Sequence, residues 1–218
     1  MTREAFAREL QALRTEVVRM AGAAREAIRE AVDALRTLDV ARAARVVADD
    51  SRIDAMHLDL EERCTRLLAL QQPMASDLRT IAAVFAITID LERLADHAEG
   101  IGKSVARLAE MPRVPLLAEV PAMAAAVDEM IADAIDAFLR GDVALAEAMA
   151  HKDDQVDRLR SQAFHTLLAT MLRDAHQTPQ ALEMLLVTQN LERAADHITN
   201  VGERVIYMMT GELKELNV

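Results

Sequence analysis

One stretch of this chain occurs twice. Asp90-Leu91-Glu92-Arg93-Leu94-Ala95-Asp96-His97 returns 100 residues later as Asn190-Leu191-Glu192-Arg193-Ala194-Ala195-Asp196-His197, and each copy reaches a glycine, Gly102 or Gly202, at the same distance. Residues four apart on a helix lie one turn apart on one face. Each copy therefore projects two carboxylates side by side. A chain that says this twice is constrained to a duplicated helical architecture with a duplicated acidic feature.

The duplication extends beyond the motif. With an offset of 103, Asp39, Asp50, Ile53 and Asp54 meet Asp142, Asp153, Val156 and Asp157, and Ile28, Val32 and Leu35 meet Ile131, Ile135 and Phe138. The offset drops to 100 around Gln71-Gln72-Pro73-Met74-Ala75-Ser76, so that stretch reads as a loop, where insertions are tolerated. Two copies of this length mean a domain duplication rather than a solenoid of short repeats.

Each half reads as three long helices. The first spans about Arg3 to Arg36. The second starts after an Asp39 cap and runs to about Leu70, and the third is capped by Ser76 and ends near Ala109. Residues 111–121 hold three of the five prolines and read as a linker between a first bundle, 1–110, and a second, 122–218. The second half restarts near Ala122, turns at Gly141 with Asp142 as cap, turns again at Thr178-Pro179, and stops at Thr210-Gly211. Val84, Ile87, Leu91, Leu94, Ala98, Ile101, Val105 and Leu108 alternate by three and four. So do Met184, Val187, Leu191, Ala194, Ile198, Val201, Val205 and Met208. A seam of this kind packs helices at shallow angles, and short loops make neighbours antiparallel. The expected fold is all-α: two tandem, sequence-related three-helix bundles.

Composition narrows the function. A net charge of −11 argues against a sequence-independent grip on nucleic acid and against a basic pocket for free phosphate. Cys64 is the only cysteine, so no intrachain disulfide is expected, which suits a reducing cytoplasm. The N-terminal residues lack the apolar core of a signal peptide. The longest apolar run, Ile81 to Ile89, is far shorter than the ~20 residues of a membrane span.

The acids are the candidate chemistry. In the heptad phasing, Glu92, Asp96, Glu192 and Asp196 fall off the seam, towards solvent. Asp50 and Asp153 fall within the apolar stripes of the second and fifth helices, with Asp54 and Asp157 beside them. A carboxylate in an apolar stripe needs a partner. Antiparallel helices would gather Asp50, Asp54, Glu92 and Asp96 in one cluster, and Asp153, Asp157, Glu192 and Asp196 in the other. Such clusters repel unless protonated, paired with cations or bridged by metal. Oxygen donors suit magnesium and manganese, and carboxylate-rich sites also hold iron or zinc. His97 and His197 could add a nitrogen ligand, although each by itself reads as a packing or hydrogen-bonding residue. Acid pairs such as Glu26 with Glu30 read as ordinary solvated surface. Cys64 reads as a small buried apolar residue.

The motifs resemble the PhoU family. The resemblance rests on Asp50-Ser51-Arg52-Ile53-Asp54, on Gln72-Pro73-Met74-Ala75-Ser76-Asp77-Leu78-Arg79, on Leu91 to Ala98 and Leu191 to His197, and on Asn200-Val201-Gly202-Glu203-Arg204 through Tyr207-Met208-Met209-Thr210-Gly211-Glu212. It implies a cytoplasmic, often dimeric, pair of three-helix bundles. The implied role is negative regulation of phosphate uptake and of phosphate-starvation signalling, linking the ATPase of a phosphate ABC transporter to a sensor histidine kinase. It also implies metal at the eight acids named above. The second half departs from the pattern where Asp174-Ala175-His176-Gln177-Thr178-Pro179 replaces the Gln-Pro stretch, and where Asn190 replaces Asp90, so the two acidic sites need not be equivalent.

Two rival readings stand beside a non-enzymatic adaptor. A carboxylate-bridged metal enzyme would place Glu-x-x-His inside a four-helix core. Here Glu92 and His97 are five apart, and no nucleophile–base set appears. A metal-free helical scaffold would leave the acids as surface charge.

Overall fold

The computed structural model describes residues 3–71 and 73–216. Gln72, part of the Gln-Pro stretch, lies outside the described residues. The elements are α1 (Arg3–Thr37), α2 (Val40–Gln71), α3 (Ala75–Ala109), α4 (Glu119–Arg140), α5 (Val143–Arg173), a 3-10 turn (Ala175–Gln177) and α6 (Thr178–Thr210). No strand occurs among the described residues. The all-α, two-bundle expectation is met.

The helix ends show why the chain breaks where it does. Asp39 accepts from the Arg42 N–H and Asp142 from the Leu145 N–H, so both expected caps form. The preceding turns also match across the duplication. Leu38 (φ 53°) and Gly141 (φ 65°) both adopt the left-handed conformation, and the N–H groups of Asp39 and Asp142 return to Ala34 and Ala137. Glycine suits that conformation; Leu38 adopts it with its side chain packed against the core. Ser76 does not cap α3. The chain enters extended at Met74 and the helix opens at Ala75, two residues early, so no side chain caps it. α4 opens at Glu119, ahead of the expected Ala122. Pro121 sits in its first turn, where a missing N–H costs nothing.

Every residue of both heptad series is buried. Within each half the third helix packs on the other two, and α3 also lies along α6. The two halves share one continuous apolar core. Polar ties join them at the edges. Arg25 and Arg29 on α1 bind Asp128 on α4, and Arg107 on α3 binds Glu183 on α6. Arg14 donates to the last carbonyls of α4 at Phe138 and Leu139, where four carbonyls lack intrahelical partners.

The duplicated glycines are points of close approach. A Cβ at Gly102 would lie 3.1 Å from the Ala43 carbonyl oxygen and 3.2 Å from Val47. One at Gly202 would overlap the Met149 side chain and lie 3.3 Å from the Ala146 carbonyl oxygen. These contacts seat α3 on α2 and α6 on α5, next to the acids. We predict that Gly102→Ala and Gly202→Ala each destabilise the protein by about 1–3 kcal/mol in urea unfolding, as overpacking does. Gly22→Ala, whose Cβ would meet nothing within 4 Å, should instead stabilise by about 0.5–1 kcal/mol.

Candidate functional site

The acids of each half interact electrostatically across a helix pair, Asp50, Asp54, Glu92 and Asp96 across the first groove, between α2 and α3, and Asp153, Asp157, Glu192 and Asp196 across the second, between α5 and α6. The expectation that Glu92, Asp96, Glu192 and Asp196 face solvent is corrected here. The Glu92 and Glu192 side chains are only 21% and 18% exposed, and both aspartates are half-buried. Their positions flank the seam closely enough for the neighbouring antiparallel helix to cover them.

In the first groove Asp50 is held up to about 6. Burial is the larger cause, followed by the negative charges of Asp54, Asp96, Glu99 and Glu92. Its Oδ1 is buried without a hydrogen-bond partner, at a cavity of about 110 Å³ walled by α1, α2 and α3. Glu92 is raised by burial and then by Asp96. Arg93 partly neutralises the pair, at 2.8 Å from Asp96 and 3.4 Å from Glu92.

In the second groove Asp153 is pushed up to about 7, by burial first and then by Asp196 and Asp157, with the Thr199 hydroxyl opposing. Glu192 and Asp196 are also raised, burial leading in both. Asp157 is exposed. All eight sequence-named acids thus fall into the two expected groups. Yet among the described residues no three His, Cys, Asp or Glu side chains already converge at metal-binding distance.

The grooves differ in ways the motif alone does not reveal. His57 lies within electrostatic reach of Glu92, and its Nδ1 is buried without a partner. With the 103-residue offset its counterpart is Arg160, whose guanidinium lies 3.6 Å from Glu192. Glu99 has Thr199 as its counterpart. The first groove therefore holds Glu99 and an imidazole where the second holds a hydroxyl and a fixed cation, while Asp154 adds a charge beside Asp153 where the first half has Ser51. Only the offset alignment could have flagged His57.

His97 and His197 point elsewhere than the role of extra ligands suggested. Their rings stack at 5.4 Å where α3 meets α6. His97 Nδ1 lies 3.1 Å from Asn190 Oδ1, and His197 Nδ1 lies 3.0 Å from Asp90 Oδ1. The Asn190 amide group donates to the Leu186 carbonyl, leaving its oxygen to accept, so His97 donates from Nδ1. Burial holds His97 down at about 4 and keeps it neutral. Asp90 accepts in addition from the Asn200 amide. The Asp90/Asn190 difference thus acts on the junction of the halves.

A family profile described as PhoU domain matches residues 17–105 and again 120–205. The chain belongs to the PhoU family. A PhoU homologue of Clostridium acetobutylicum is 37% identical over 218 residues, spanning 100% of both chains. One from Aquifex aeolicus is 37% identical over 206 residues, 94% of this chain and 93% of its own. The crystal structure of Pseudomonas aeruginosa PhoU superposes with a TM-score of 0.90 at 35% identity, covering 95% of this chain and 100% of that one. The Streptococcus pneumoniae PhoU structure gives 0.89 at 31% identity, covering 96% and 99%. The two PhoU matches fall on the two halves seen in the repeat.

Two expectations follow for this PhoU chain. Asp50 and Asp153 have folded-state values above their ordinary ones, so their contribution to stability is present at low pH and lost as pH rises through about 6 and about 7. Asp50→Asn/Asp153→Asn should therefore gain stability over the parent at pH 8, with the gain shrinking towards zero near pH 4. Paired urea titrations across that range check this; a pH-independent difference would contradict it. Asp90→Ala, which strands His197 Nδ1 and the Asn200 amide, should cost about 1–3 kcal/mol in the same assay.

Proposed function

We propose that this chain is a non-enzymatic, cytoplasmic negative regulator of phosphate uptake and phosphate-starvation signalling. The observation that carries the reading is full-length similarity to proteins named phosphate-specific transport system accessory protein PhoU homolog. A structural neighbour is named phosphate transport system regulatory protein. In this reading the chain, as a homodimer, contacts the ATPase of a phosphate ABC transporter and a sensor histidine kinase. Among the described residues no helix is long and apolar enough to cross a membrane, so contact with a transporter would be made by docking.

The acidic grooves fit a metal role in donor chemistry. Half-buried carboxylates whose charges oppose one another gain when a cation replaces their protons. Asp50, Asp54, Glu92 and Asp96 would hold metal in the first groove, and Asp153, Asp157, Glu192 and Asp196 in the second. The donor set suits iron, zinc, manganese or magnesium. A bound cation would supply positive charge and open positions for an oxyanion such as phosphate, which these grooves otherwise repel. The first groove should bind more tightly, because His57 and Glu99 stand where Arg160 and Thr199 stand in the second.

The chain itself arranges this binding. Gly102 and Gly202 let the acid-bearing helices approach. Arg93 and Arg160 hold carboxylates that a metal would compete for. The acids bind, the arginines gate by charge, and the buried stripe positions exclude bulk water from one side.

The test has two arms. Deleting the gene should derepress a phosphate-starvation reporter in phosphate-replete cells, and the parent gene should restore repression. Failure of either step would sink the regulatory reading. Tag-free protein should carry metal by plasma mass spectrometry. Glu92→Ala/Asp96→Ala/Glu192→Ala/Asp196→Ala should lose it, and Glu92→Ala/Asp96→Ala should lose more than Glu192→Ala/Asp196→Ala. Protein with no metal after reconstitution would leave the acids as surface charge and the regulatory arm intact.

A further inference from the structure

One buried nitrogen at the first groove is left without a partner. His57 follows Asp50 by seven residues and Asp54 by three on α2, so the three side chains share one helix face. The His57 side chain is only 18% exposed, and its Nδ1 is buried with no hydrogen bond among the described residues. The imidazole lies within electrostatic reach of Glu92 on α3. Its other nitrogen, Nε2, lies 3.8 Å from the Glu61 carboxylate, one turn further along α2. A neutral imidazole that keeps its proton on Nε2, towards Glu61, carries its lone pair on Nδ1. A carboxylate behind one ring nitrogen is the usual way a histidine is oriented to give the other to a metal. Asp50 Oδ1 is a second buried atom of this groove with no hydrogen bond. Two electron-pair donors withdrawn from solvent on one helix face gain from a bound cation.

The second groove has no such atom at the matching position. Arg160 stands there, 3.6 Å from Glu192, and a guanidinium donates hydrogens but has no lone pair to give a metal. Carboxylate oxygens suit hard cations such as magnesium and manganese, whereas an imidazole nitrogen favours borderline cations such as zinc and ferrous iron. We propose that His57 Nδ1 is a metal ligand that makes the first groove a mixed nitrogen–oxygen site selective for a borderline divalent cation, while the second groove takes hard cations through oxygen alone. Asp50, Asp54, Glu92 and Asp96 supply the oxygens of the first site, and Glu61 positions the imidazole. No three of these donors stand at metal-binding distance in the structure, so closing on an ion requires the half-buried side chains to rotate. The proposal rests on the metal reading of the acids and adds which class of cation each groove selects.

The test uses the metal-stripped full chain carrying Glu192→Ala/Asp196→Ala, which leaves the first groove as the intact acidic cluster. Zinc and manganese are titrated into it separately and followed by calorimetry. Adding His57→Gln should weaken zinc binding by about tenfold or more and manganese binding by less than about threefold, because only the nitrogen donor is lost. Metal-free circular dichroism and melting temperature should match with and without His57→Gln. A second measurement does not depend on the variant's stability under titration. Zinc added to the protein with His57 in place should shift the histidine side-chain NMR signal that His57→Gln removes. Equal losses of zinc and manganese affinity in His57→Gln, or no loss of either, overturn the proposal and leave His57 as a hydrogen-bonding residue. A zinc titration that leaves that histidine signal unmoved overturns it as well. Zinc binding that survives His57→Gln removes only the nitrogen ligand and leaves the acids as an oxygen site. Absence of zinc and manganese binding altogether removes both this proposal and the metal reading it rests on, and leaves the regulatory role to the reporter assay.

Discussion

The contact between α3 and α6 is the constraint on which the rest of this molecule depends. Each of these helices is the packing centre of its own half, and each is also the face by which the halves join. Asp90, His97 and Ser104 recur every seven residues along α3, and Glu183, Asn190 and His197 along α6. Placed antiparallel, the two rows meet as His97 with Asn190, His197 with Asp90, and Arg107 with both Ser104 and Glu183. A wholly apolar seam would hold the halves together without specifying their register. Polar groups that bond only when aligned add that register, because a slip would leave buried donors and acceptors unmet. The apolar seam supplies the affinity and the polar rows supply the alignment.

The same helices leave the acids in a compromise environment. Residues 92 and 96 flank the buried face, so the antiparallel neighbour half-covers them, and residue 50 reaches towards them from that neighbour. Burial and mutual repulsion then push in one direction, raising Asp50 to about 6 and Asp153 to about 7. A fold selected only for stability would place polar uncharged or apolar groups there. Charge kept at an energetic disadvantage in matching places on two halves is a reason to look for a cation.

Duplication also sets a standard for reading divergence. Core positions stay apolar in both copies, and the glycines stay at the helix crossings. Against that background the exchanges stand out: Asp90 for Asn190, His57 for Arg160, Glu99 for Thr199. None is demanded by the architecture. Each gives one half a property the other lacks, a carboxylate at the junction, an imidazole and Glu99 in one groove, a fixed cation and a hydroxyl in the other. An approximately twofold scaffold has become a molecule with distinguishable ends.

Much was legible from the amino acids alone. The repeat, the three-and-four alternation and the proline-rich break determined six helices in two related bundles, because helix periodicity is local and survives without knowledge of neighbours. Asp39 and Asp142 declared their caps for the same reason. The grouping of eight acids followed from spacing plus antiparallel packing. What needed the tertiary structure was whatever depends on a neighbouring helix. The burial of Glu92 and Asp96 was hidden, since a single helix wheel cannot show how far a neighbour overhangs its flank. The partners of His97 and His197 lie in the opposite half, 93 and 107 residues away, beyond any local pattern. Ser76 does not serve as a cap because the extended entry at Met74 starts the helix two residues early. Sequence determined which surfaces exist; only the packing of α3 against α6 decided which of them face each other, which face solvent, and which charges must share a groove.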